Sequence, residues 1–239
     1  MAKPKDPKSL LSDILLHGIN NDIFNAEEAL AILRLIGKHV EVINKLPGID
    51  LFCGTLQRHS TDRALLFVAK LSEKSKYPVR SVPAALKLLD EKAGVLQIQD
   101  RGFLIGRLLE LDRTCSSSSL ELLSDTELTK LVVQHYTKRF IDSVPREALR
   151  QIRNTVVAHN GQNATALDIS LHELDDLLDQ AKRFIGLVGR AYLSTIYEDS
   201  DGKYFFEFET RKASLGLRRL LVEAEIIKNE RKVSDMLND

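Results

Sequence analysis

The chain has 239 residues, 44% hydrophobic and 28% charged, which is globular composition and excludes a disordered default. Lys and Arg total 34 against 34 Asp and Glu, so formal net charge is zero. That excludes the global basic field of a protein that coats nucleic acid, and any contact with a polyanion must be local.

Hydrophobic periodicity predicts helices almost throughout, taken here from the N-terminus. Residues 8 to 17 read as a short helix that Gly18 ends. Asn25 is a cap for the next, where Ala29, Leu30, Leu33, Ile36, Val40 and Ile43 form an apolar stripe that Pro47-Gly48 stops. Residues 50 to 74 form a further helix, with Leu56, Leu66, Ala69 and Leu71 apolar and Arg58, His59, Asp62 and Arg63 grouped as a polar cluster. The simpler reading of that cluster is an exposed surface laced by an Arg58 to Asp62 pair. The sharper one makes Arg58 or Arg63 a phosphate holder.

Tyr77-Pro78 breaks the chain, and Ser81 with Pro83 restarts it as a helix from Val82 to Ala93 that ends at Gly94. Residues 96 to 113 carry an apolar pattern in Ile98, Leu104, Leu108 and Leu111, weakened by Gly102 and Gly106. No Gly-Lys-Ser/Thr follows these glycines and no strand precedes them, so they are not a phosphate cradle. Cys115-Ser116-Ser117-Ser118-Ser119 is of low complexity and reads as a flexible connection. Ser124 and Glu127 make a capping box for a helix through Phe140, in which His135 is a core-edge histidine and Tyr136 packing rather than a base-stacking platform.

The next helix carries the chemistry. Ser143 caps it, Pro145 occupies its first turn, and Asn160-Gly161 end it. Between Lys138 and His159 stand five cations, Arg146, Arg150 and Arg153 among them, against Asp142 and Glu147, for a local charge of plus three. Arg153 is a fixed cation whose donor fork suits phosphate oxygens, and His159 is the side chain suited to proton transfer near neutral pH. At a helix C-terminus the unpaired carbonyls favour an imidazolium. Arg153 and His159 are six residues apart, so on an ideal helix they diverge by roughly a third of a turn. Either the last turn unwinds, or a second copy of the chain completes the site across a two-fold axis.

Ser170 and Glu173 form another capping box, opening a long helix to about Tyr197 with Leu174, Leu177, Leu178, Ala181, Phe184, Ile185, Val188 and Tyr192 on one side. Glu173, Asp175, Asp176 and Asp179 read as a solvated acidic face. The rival reading, a metal site, lacks histidine partners except His172, so no metal is expected. Asp199-Ser200-Asp201-Gly202 is a turn signal. Tyr204, Phe206 and Phe208 then alternate with Glu207 and Glu209 like a strand, pairing with a symmetry mate, with residues 193 to 198, or lying across the bundle. Residues 211 to 230 return to helix.

Cys53 and Cys115 are too far apart for metal spacing and read as two free thiols of a reducing cytoplasm. The polar start has no signal-peptide stretch and no run approaches bilayer-spanning length, so a soluble, cytoplasmic protein without membrane contact is expected.

The segment Arg153-Asn154-Thr155-Val156-Val157-Ala158-His159-Asn160, with the upstream run Asp62-Arg63-Ala64-Leu65-Leu66-Phe67-Val68-Ala69-Lys70-Leu71 and a capped helix from Ser81, resembles the HEPN superfamily and is similar to its abortive-infection AbiU-like group. The resemblance covers about residues 25 to 195. It implies an all-α antiparallel helical bundle, taken as residues 1 to 197; the extension over 198 to 239, read from its own pattern as a possible short strand or hairpin near 203 to 209 and a C-terminal helix, is an addition beyond the resemblance. It further implies a metal-independent endoribonuclease of a prokaryotic defence or toxin system, working as a homodimer on RNA and without cofactor. In that reading Arg153, Asn154 and His159 are catalytic, and Arg146, Arg150, Arg58 and Arg63 are candidates for RNA binding. An antitoxin or other defence-system protein is the further partner expected. The tyrosine that some HEPN toxins carry two positions after the histidine is Gly161 here, which argues against control by modification at that site. The alternatives are a HEPN-like bundle acting as a non-catalytic binding or regulatory subunit, and a merely structural pairing of Arg153 with His159.

Overall fold

Helix α1, Pro7–Ile14, starts where Asp6 accepts the Ser9 amide at 3.1 Å and Pro7 needs no donor. In the computed structural model, which describes residues 6–73, 79–112, 114–141, 149, 170–198 and 203–227, Gly18 does not end this helix. A π-helical turn, Leu15–Ile19, carries it without interruption into α2, Asn20–Lys38. The glycine answers a tertiary need instead: a Cβ at position 18 would clash with the Arg80 Cβ and lie 2.7 Å from the Arg80 carbonyl oxygen. Asn25, expected as a cap, therefore falls inside α2. Its amide donates to the Asn21 carbonyl at 2.6 Å, and its oxygen accepts from Arg63 at 2.6 Å.

After α3, Val40–Ile43, the long helix α4, Ile49–Leu71, packs on α2 in the most extensive helix pairing among the described residues. Ser81 caps α5, Val82–Glu91, and also donates to the Glu73 carbonyl at 2.9 Å. The helix expected from residue 96 begins at Arg101, because Asp100 accepts the Phe103 amide at 3.0 Å and makes the boundary of α6, Arg101–Leu111. The serine run expected as a connection is itself a short helix, α7, Ser117–Glu121, with Ser116 and Ser119 in a capping box. Hydroxyls that compete with the helix in its interior satisfy its first amides when they stand at its start. The Ser124/Glu127 box opens α8, Asp125–Tyr136, and a second π-helical turn, Thr137–Ile141, extends it.

Helix α9, Leu171–Leu193, opens on the Ser170/Glu173 box and is the axis of the main core. It touches α1, α2, α4 and α6, and beyond its predicted stripe Gly186, Leu187, Gly189 and Ala191 are buried too. Its C-terminal half, buried on nearly all sides from Phe184 to Tyr192 apart from Arg190, belongs in the interior, while its N-terminal half keeps a charged face to solvent. Phe184 meets Tyr136 edge to face at 5.1 Å, and the Tyr192 hydroxyl pairs with Thr129 Oγ1 at 2.8 Å. Fully burying side chains of this size contributes about 1.5–3 kcal/mol each. The helix stops at Leu193, short of Tyr197, because Ser194 turns left-handed at φ 55°.

The strand expected at Tyr204 to Phe208 is corrected to a single antiparallel bridge between Glu198 and Tyr204, followed by α10, Phe205–Glu223. Leu217 and Leu221 of α10 build a second core with Ile36, Ile43, Cys53 and Ile227. With that docking made, each upstream residue added to the helix gains one backbone hydrogen bond, so the helix begins earlier than residue 211. The architecture is all-α, as expected. Among the described residues no helix is long and apolar enough to cross a membrane.

Candidate functional site

Arg146, Arg150, Arg153, Asn154 and His159 lie outside the described residues. Within that stretch Leu149 alone is described: it is helical and fully buried in the main core. The chain four residues before Arg153 is thus anchored in the bundle. At the other end the segment returns at Ser170, whose capping box starts α9.

The two other arginines considered for RNA stand on α4 in different circumstances. Arg63 is held by Glu28 at 2.6 Å and by Asn25 at 2.6 Å, which ties α4 to α2. Arg58 is exposed, and no ion pair with Asp62 is formed among the described residues. The acidic residues at the start of α9 are spread over separate partners. Glu173 serves the cap, Asp175 pairs with Arg34, Asp176 lies 3.6 Å from His172, and Asp179 accepts from Arg183 at 2.7 Å. His135 is half-buried, and its Nε2 is enclosed with no hydrogen-bond partner among the described residues. Burial first, then Arg139, lowers its pKa, so a neutral imidazole is favoured.

One cleft joins elements that the sequence keeps far apart. It measures about 290 Å³ and lies between α6, the end of α8, α9 and the Glu198–Tyr204 bridge. Arg107 of α6 donates to Glu110 at 2.8 Å and to Glu198. Burial opposes the Arg107 charge, but hydrogen bonds to these two carboxylates outweigh it and hold the guanidinium above its usual range. On the α9 side stand the Arg183–Asp179 pair and Gly186, which leaves room for Tyr204: a Cβ at 186 would be 3.3 Å from the tyrosine ring. Tyr136 forms part of the wall with only 2% of its surface exposed, and burial pushes its hydroxyl well above the ordinary phenol value. None of this was legible from spacing. Tyr136 read as packing, which its burial supports, and no local signal linked it to Arg107, Glu198 or Tyr204.

The family model HEPN_AbiU2, described as AbiU2, matches residues 26–213 of this chain. The chain belongs to the HEPN AbiU2 family. The match takes in α4, the Arg153 to His159 segment and α9, and runs on into α10, past the residue 195 at which the resemblance was expected to end. Membership makes this HEPN protein one of the abortive-infection, defence-related group. Neither the curated proteins nor the solved structures compared with this HEPN AbiU2 chain give a match.

Proposed function

We propose that this HEPN AbiU2 chain is a metal-independent endoribonuclease that works as a homodimer. The observation that carries the reading is the family match over residues 26–213, a span in which the sequence has an arginine, an amide and a histidine at Arg153, Asn154 and His159. His159 takes the proton from a ribose 2′-hydroxyl, the 2′-oxygen attacks the adjacent phosphorus, and the His159 of a second copy protonates the leaving 5′-oxygen. Arg153 stabilises the charge on the pentacoordinate phosphate, and Asn154 orients the RNA or a neighbouring side chain. The plus-three stretch between Lys138 and His159 supplies local attraction for phosphates in a neutral chain, with Arg146 and Arg150 as its contacts. Arg58 is the further contact on α4; Arg63 serves RNA only by leaving Glu28 and Asn25.

The test is cleavage of RNA by purified protein in EDTA, comparing wild type with His159→Ala and Arg153→Ala. Cyclic-phosphate ends that both substitutions abolish in folded protein support the mechanism. Intact RNA in every case, with folding unchanged, overturns it.

A second reading has its own observations. The chain's net charge is zero and Gly161 stands where some HEPN toxins carry a tyrosine, features that suit a non-catalytic binding or regulatory subunit of a defence system. Such a subunit has a protein partner that co-purifies with it, and His159→Ala leaves its action unchanged.

A further inference from the structure

We infer that the cleft between α6, α8, α9 and the Glu198–Tyr204 bridge is a binding site for a guanine base. The inference is separate from catalysis at Arg153 and His159 and stands or falls without it.

The chemistry of the walls selects the ligand. Each guanidinium at the cleft already has a carboxylate: Arg107 has Glu110 and Glu198, and Arg183 has Asp179. Three carboxylates against two guanidiniums disfavour a phosphate or other anion. A neutral ligand with both donors and acceptors fits instead.

Glu198 is the discriminating group. Its side chain is only 14% exposed, and one oxygen is taken by Arg107. Its other oxygen receives no hydrogen bond from the described residues, and the side chain lines the cleft, so it leaves an acceptor for a ligand there. Arg107 lies directly beside it with N–H groups beyond the two committed to Glu110 and Glu198. The wall therefore offers a donor next to an acceptor. Guanine has the complementary Watson–Crick edge, with the O6 acceptor followed by the N1–H and N2–H donors. Adenine and cytosine each place an unprotonated ring nitrogen beside their amine, which would face the carboxylate lone pairs. Uracil has one N–H between two carbonyls.

Tyr136 supplies the second element. Although it is almost fully buried, its hydroxyl makes no hydrogen bond to the described residues while its side chain borders the cleft. It can satisfy a remaining polar atom of the base, such as N7. The ring of Tyr204, together with Leu111 and Leu187, provides apolar surface against which a planar base can rest. The volume, about 290 Å³, is at the small end of ligand sites, roughly 300–1,000 Å³, and suits a single base better than a dinucleotide.

The guanine belongs either to an RNA strand or to a free nucleotide, and calorimetry on the full-length protein distinguishes them. Titrations use GMP, IMP, AMP and a hexaribonucleotide with one guanine, the last with His159→Ala protein so that cleavage cannot consume it. The expected result is saturable GMP binding at one site per chain, with IMP weaker by about tenfold because it lacks the 2-amino group, and AMP weaker still. Glu198→Gln removes the preference for GMP over IMP. Arg183→Ala, at a side chain 60% exposed and therefore safe for folding, weakens GMP several-fold.

A strand that binds at least tenfold more tightly than GMP marks RNA as the source; a strand no tighter than GMP marks the free nucleotide. Both outcomes uphold the guanine site. Absence of saturable GMP and strand binding to folded protein, or equal binding of GMP, IMP and AMP, overturns it. So does GMP affinity that neither substitution changes.

Discussion

Lys182 of α9 and Glu27 of α2 meet as an ion pair in the interior, each side chain only 11% exposed. Arg34 lies 3.8 Å from the same glutamate and also pairs with Asp175 at the start of α9, so this small network sets α9 against α2. Removing one member leaves the other charge buried. Lys182→Ala and Glu27→Ala should each cost about 3–5 kcal/mol, whereas replacing the pair by apolar residues of similar volume should cost much less. Urea unfolding of the two singles and the double separates these outcomes. Equal losses in all three would mean that the packing of the aliphatic stems, not the ion pair, holds the helices together.

Asp22 makes stability depend on pH. Burial raises its pKa to about 6, Lys70 opposing and Glu73 assisting. The folded protein then binds the proton more tightly than the unfolded chain, whose aspartates titrate near 3.9. Stability contributed by protonated Asp22 is full below about pH 4 and is lost as pH rises through about 6. At this partly exposed site, solvent screening keeps the loss to about 1 kcal/mol. Asp22→Asn should therefore be more stable than wild type at pH 7.5, with the advantage vanishing by pH 4, as thermal melts in matched buffers would show.

The close approach of Gly18 to Arg80 predicts that Gly18→Ala destabilises although alanine favours helix. The added Cβ meets the Arg80 backbone at 2.7 Å, so the segment before α5 must shift. The expected cost is about 1–3 kcal/mol in urea unfolding. A gain in stability would show that the approach is looser than described.

The two cysteines should differ in reactivity. Cys53 is 1% exposed in the second core, and burial with Asp50 nearby raises its thiol pKa, whereas Cys115 is only half-buried. With a thiol reagent at neutral pH in native protein, Cys115 should be labelled quickly and Cys53 only on opening of that core. Simultaneous labelling would mean that α10 leaves α2 readily.

If the nuclease reading holds, an RNA with 2′-deoxy sugars throughout should remain intact while its ribose counterpart is cut, because the nucleophile is the 2′-hydroxyl. Cleavage of both strands would point to an external nucleophile and remove the role given to His159.

The amino-acid sequence by itself determined what depends on neighbours a few residues away. The boxes at Ser124/Glu127 and Ser170/Glu173 and the cap at Ser81 need only side chains three residues apart, and all three start helices where they were expected. The helical class follows from the same local pattern, and the family was legible because its resemblance is carried by short contiguous stretches, Asp62 to Leu71 and Arg153 to Asn160. Tertiary structure decided the rest. Gly18 read as a stop, but what places a glycine there is Arg80, distant in sequence. The alternation at Tyr204 to Phe208 favoured a strand, yet docking of Leu217 and Leu221 on α2 and its neighbours recruits those residues into α10. The cleft, too, required the fold: Arg107, Tyr136, Arg183 and Glu198 come from separate elements, and no spacing along the chain can encode a distance that exists only once three helices and the Glu198–Tyr204 bridge have packed.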